Sequence, residues 1–122
     1  MYYEKDWVLR QINIIIQFVA KLVYKIDDIE YSPSGMPGLV SDKIYEKIKK
    51  LIGENKLNEA ENELFEAMEA RDGSFLLVAL DFYQTLNRMT DKELVQCGFS
   101  RSEILDGLIT VLNHLGVPYY SY

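Results

Sequence analysis

Between Lys5 and Tyr31 the apolar residues Val8, Ile12, Ile15, Val19, Leu22, Ile26 and Ile29 recur at alternating steps of four and three. That spacing stacks them on one face of a helix. Leu9, Ile16 and Val23 widen the face on one flank, and Trp7 and Phe18 widen it on the other. The apolar arc then covers roughly 200° of the circumference, with Arg10, Asn13, Gln17, Lys21 and Asp28 on the remainder. One neighbouring helix cannot cover that much surface, so the rest of the chain, or a second copy of it, must wrap this element.

The chain predicts an all-α single domain of five or six helices: a long N-terminal helix over 1–31, a linker over 32–40, and a helical array over 41–122. The linker, Tyr31-Ser32-Pro33-Ser34-Gly35-Met36-Pro37-Gly38, holds two prolines and two glycines and cannot continue a helix. Ser41 and Asp42 open the second helix, Ile44, Ile48, Leu51 and Ile52 form its stripe, and Gly53 ends it. A third helix, Lys56 to Arg71, turns Leu57, Ala60, Leu64, Ala67 and Met68 inward and Glu59, Glu61, Glu63, Glu66 and Glu69 largely outward. Phe75 to Arg88 is apolar on nearly all sides, which predicts a central helix. Two capping boxes, Thr90-Asp91-Lys92-Glu93 and Ser100-Arg101-Ser102-Glu103, open a short helix to about Cys97 and a last helix that Gly116 and Pro118 stop.

With 122 residues, 48% of them hydrophobic and 26% charged, the chain can bury one real core. A net charge of -6 argues against nucleic acid as a partner, since a polyanion needs a basic face. Cys97 stands alone, which excludes an intramolecular disulfide and a cysteine-rich metal site. The apolar run Ile12–Ala20 is interrupted by Asn13 and Gln17 and followed by Lys21 and Lys25, so it reads neither as a signal peptide nor as a spanning helix. The expectation is a cytoplasmic protein, and the first helix has too few lysines and arginines on its polar face for a membrane surface.

Chemistry-bearing residues are sparse. His114, the single histidine, sits in the last turn of a helix, where it complements the dipole, and no motif supplies it with a nucleophile and an orienting partner. Asp27, Asp28 and Glu30 could converge on a hard cation but lack the spacing of a calcium loop. No enzyme, metal or cofactor is expected from these residues. Tyrosines collect at the ends of the chain: Tyr2 and Tyr3, then Tyr119, Tyr120 and Tyr122.

The pattern Ile44-x3-Ile48-x2-Leu51, then Gly53, then Leu57-x2-Ala60-x3-Leu64-x2-Ala67 resembles a tetratricopeptide-repeat helical hairpin. Ile44 stands where that repeat usually carries a bulky aromatic residue. The resemblance implies an antiparallel hairpin array with peptide held along the first helices, making Lys43, Tyr45, Lys47 and Lys50 the peptide-binding candidates. The opening, Leu9-Arg10-Gln11-Ile12 leading to Ala20-Lys21-Leu22, also resembles small uncharacterised bacterial all-helical proteins, which implies a fold and no activity.

Function is expected to be non-enzymatic. About 25 residues of first helix span roughly 37 Å, whereas later helices of about 15 residues reach only about 22 Å. The overhang predicts a protein-interaction module that self-associates, as a homodimer, through Val8, Ile12, Ile15, Val19, Leu22 and Ile26. The alternative is a small-molecule or metal-responsive regulatory protein with its ligand near Asp27, Asp28 or His114.

Overall fold

The computed structural model describes residues 5–25, 40–69 and 75–119. Its helices are α1 (Lys5–Val19), α2 (Val40–Gly53), α3 (Leu57–Glu66), α4 (Phe75–Asn87), α5 (Asp91–Gln96) and α6 (Arg101–Leu115). Among the described residues there is no strand, and the fold is all-α.

Helix α4 lies at the centre. Its unbroken apolar run, Phe75 to Leu80, leaves no polar face to solvent, and nearly every residue from Phe75 to Asn87 is buried. Helices α1, α2 and α6 pack on it, and α2 and α3 pair as a hairpin. Chain direction follows from the side-chain contacts. Leu9 and Tyr24 of the N-terminal helical segment meet Asn87 and Leu77 respectively, so α1 runs antiparallel to α4. Arg101 meets Asn87, so α6 is antiparallel to α4 as well, and α1 and α6 run parallel to each other.

The helix ends follow their local chemistry. Thr90 and Glu93 form the reciprocal capping box. At α6 only half of the second box is made: Ser100 Oγ accepts from Glu103 N at 3.2 Å. Gly98 and Gly116 take the left-handed conformation, both at φ +69°, as helix stops do. Between α2 and α3 the left-handed position is held not by Gly53 but by Asn55 at φ 63°, a residue whose short amide tolerates that conformation. Helix α3 closes earlier than its periodicity suggests, tightening into a 3-10 turn over Ala67–Glu69.

The long first helix is the main correction. It does not run to Tyr31: after Val19 it widens into one π turn, Ala20–Tyr24, and Lys25 caps that turn in the left-handed conformation at φ 57°, donating its N–H to Ala20 O. Ile26, Ile29, the three carboxylates Asp27, Asp28 and Glu30, and the linker lie outside the described residues. Val8, Ile12, Ile15, Ile16, Val19 and Ala20 all enter the core that α4 and α6 share.

Ile15→Glu is therefore expected to unfold the domain rather than merely separate subunits, because it drives a charge into a site only 4% exposed. Circular dichroism of the purified variant checks this; a folded helical variant would overturn the intramolecular packing of α1.

Candidate functional site

The residues expected to mediate self-association separate into three groups. Val8, Ile12, Ile15 and Val19 are buried within the chain's own core. Leu22 reaches solvent, and Ile26 lies outside the described residues. The reason is the width of the apolar arc: α4 and α6 cover one half of it, and a different half stays outside. On the outer side are Ile14, Phe18, Leu22 and Val23, each about two-fifths or more exposed. Trp7, Ile14, Phe18 and Leu22 follow one another by seven, four and four residues, a single helical stripe.

The peptide-binding candidates all lie on α2. Lys43, Lys47 and Lys50 are exposed on α2, and Lys47 is paired with Glu63 of α3 at 3.0 Å. Tyr45 is half-buried, with Lys49 Nζ 5.3 Å above its ring. His114 is exposed in the last turn of α6, Cys97 is half-buried, and Tyr119 packs against the core. Among the described residues no group of three or more histidines, cysteines, aspartates or glutamates is placed to hold a metal ion.

Two polar clusters that periodicity did not point to are built around α4. The first is at its C-terminal end. Arg101, the first residue of α6, is 7% exposed. Its Nη1 donates to Asn87 O at 2.7 Å and Asn87 Oδ1 at 3.2 Å, and its Nη2 donates to Met89 O at 2.9 Å and Asp91 Oδ1 at 2.7 Å. One guanidinium thus satisfies carbonyls at the end of α4 and ties the start of α5 and α6 to them. Asn87 extends the network to α1, its Nδ2 donating to Leu9 O and Asn13 Oδ1, both at 3.1 Å. Arg101 Nε–H is buried and, among the described residues, is the one buried side-chain polar atom with no hydrogen-bond partner.

The second cluster joins α3, α4 and α6. Tyr83, fully buried on α4, donates its hydroxyl to Glu61 Oε2 of α3 at 2.8 Å. Burial pushes the Glu61 carboxyl above its ordinary range; the Tyr83 bond opposes that and the nearby Glu103 charge adds to it. Burial and the same carboxylate drive the Tyr83 phenol far upward, so it stays protonated. Gly107 of α6 lies directly over the pair. A Cβ there would collide with Glu61 Oε2 and come within 2.6 Å of the Tyr83 hydroxyl and 2.9 Å of its ring. This close approach explains a glycine in mid-helix, where it costs about 1 kcal/mol of propensity.

These features define a small all-helical protein whose central helix is pinned by polar contacts to its neighbours. Residues 2–116 match the family model DUF6483, described as a family of unknown function, and the chain belongs to that family. No curated protein and no solved structure matches it.

Gly107→Ala is expected to lower stability by about 1 to 3 kcal/mol in urea titrations despite alanine's better helix propensity, since Tyr83 has no room to retreat. The pH dependence of Glu61 has a definite sign. Its folded pKa lies above the unfolded value, so the stability it contributes is fully present at low pH and is lost as pH rises through the folded pKa. Glu61→Gln should therefore match the wild type near pH 4 and exceed it in Tm near pH 7. A variant less stable than wild type at neutral pH would contradict the assignment.

Proposed function

We propose that the protein is a non-enzymatic interaction module whose first partner is a second copy of itself, and that its contact surface is the outer stripe of α1. The observation that carries this reading is the placement of exposed apolar side chains. Of the five large apolar residues exposed among the described residues, Ile14, Phe18, Leu22 and Val23 fall within ten positions of one another, and only Val95 lies elsewhere. Scattered single apolar residues are ordinary on a protein surface; a contiguous stripe on one helix marks a contact site. The patch is small, which suits a weak and reversible dimer rather than an obligate one.

A bilayer surface is the second reading. Asp6–Tyr24 is long and apolar enough by length and composition to cross a membrane, with a mean hydropathy of 1.2. The burial of Ile12, Ile16, Val19 and Ala20 in the fold supports the protein reading, with the cytoplasm as the expected compartment. The pairing of Lys47 with Glu63 weighs against a peptide groove on α2 like that of the tetratricopeptide repeats.

Sedimentation velocity over a concentration series tests the proposal. The wild type is expected to associate with a Kd on the order of 10 to 100 μM. Ile14→Ser combined with Phe18→Ser and Leu22→Ser should leave a monomer whose stability changes by less than about 1 kcal/mol. A wild type that stays monomeric into the millimolar range overturns self-association, and binding to liposomes by that monomer would assign the stripe to a membrane instead.

A further inference from the structure

We infer that two copies of the chain meet along α1 in antiparallel order, around a two-fold axis beside Ile14, so that Asp6 of each copy pairs with Lys21 of the other. This pairing rests on the reading of the outer stripe as a self-association surface and specifies how that surface closes on itself.

The apolar stripe is bordered on one edge by a polar row. Asp6, Arg10, Gln17 and Lys21 follow one another by four, seven and four residues, the spacing of a single helical row, and all four are exposed. At about 100° per residue this row runs beside Ile14 on the side away from Phe18. Asp6 is the only acid among the described residues from Lys5 to Lys25, and it stands at the opposite end of the row from Lys21. The row therefore has a direction.

A two-fold axis perpendicular to both helices brings the same edge of the two copies together with their ends exchanged. The apolar stripe overlays itself when Trp7 of one copy meets Leu22 of the other, which sets the axis between residues 14 and 15. The polar row overlays itself when Asp6 meets Lys21 and Arg10 meets Gln17, which sets the axis between residues 13 and 14. The two registers agree to within one residue, about 1.5 Å of helix rise. A carboxylate then faces an ammonium and a guanidinium faces an amide oxygen, each twice by symmetry. A parallel pair, around an axis along the helices, turns the polar row toward the partner's other edge, where the described residues offer Gln11 and no acid. Apolar contact alone has no preferred direction, so the charges choose the antiparallel order.

Sedimentation velocity of charge-reversed chains, together with a spin-label distance, tests the pairing. Asp6→Lys and Lys21→Asp are each expected to weaken the dimer roughly tenfold, because each acts at both symmetry-related contacts, and the chain carrying both should return to within about threefold of the wild type. A nitroxide on Leu22→Cys, in a Cys97→Ser background, should report copies about 20 to 25 Å apart by dipolar electron paramagnetic resonance, whereas a parallel pair holds them about 10 Å apart. The antiparallel order alone is overturned by a dimer that the triple serine variant abolishes but whose labels lie about 10 Å apart, that Asp6→Lys leaves unchanged, or that the double reversal fails to restore. A wild type that stays monomeric into the millimolar range, or a dimer that survives the triple serine variant, overturns the order together with the reading beneath it.

Discussion

A helix buried on every side must still satisfy its polar side chains, and that constraint organises this protein. Helix α4 carries Asp81, Tyr83 and Asn87 into the interior along with its aliphatic residues. Each recruits a different neighbour: Asp81 faces Lys49 of α2 at 4.0 Å, Tyr83 bonds Glu61 of α3, and Asn87 bonds α1 and Arg101 of α6. Apolar packing alone would tolerate several arrangements of helices around α4. Asp81, Tyr83 and Asn87, three of the four polar side chains that α4 buries, favour one of them, since an arrangement that leaves a buried donor or acceptor unpaired costs about 1 to 3 kcal/mol.

The Arg101 network illustrates why such groups say more about arrangement than about net stability. Removing a guanidinium from water costs nearly as much as its attraction to a solvated carboxylate returns, so the pair with Asp91, whose side chain stays exposed, adds little by itself. Its directional bonds to Asn87 O and Met89 O are another matter, because they close the carboxyl end of α4 where the helix has no further residues to do so. One side chain on α6 thereby defines where α4 stops and at what angle α5 leaves.

Much of the architecture was legible in the sequence because it is written in local chemistry. Thr90, Ser100, Gly98 and Gly116 mark helix ends through hydrogen bonds and backbone angles that involve only a few neighbouring residues, and the centrality of α4 followed from its having no polar face. The end of the first helix was not legible, since Lys25 is an unusual residue for a left-handed cap and no glycine announces it. Which part of a very wide apolar arc turns inward was also hidden: Val8, Ile12 and Ile15 have the same chemistry as Ile14, and only the positions of α4 and α6 tell them apart. Arg101 was concealed by its place in a capping box, where a charged residue reads as solvated surface. Asn13, assigned by periodicity to the polar face, proved to be a contact with Asn87. The contacts of Asn87 with Leu9 and Asn13 join residues 78 and 74 positions apart, and no local window along the chain contains them.

The π turn at Ala20–Tyr24 has a consequence for how the outer surface relates to the core. An α-helical continuation would bring Val23 round beside Val19 and Ala20, whereas a turn holding roughly one residue more delays the chain and brings Tyr24 inward instead. The interior thus receives a phenol able to bond the backbone of Leu77, and it surrenders a valine to the exterior beside Leu22. A single inserted residue at a helix terminus is enough for that exchange. Deleting one residue there would restore the ordinary pitch, reclaim the valine for the interior and shorten the exposed apolar stripe at that end, so the length of this one turn sets how far the apolar surface extends while the interior stays the same.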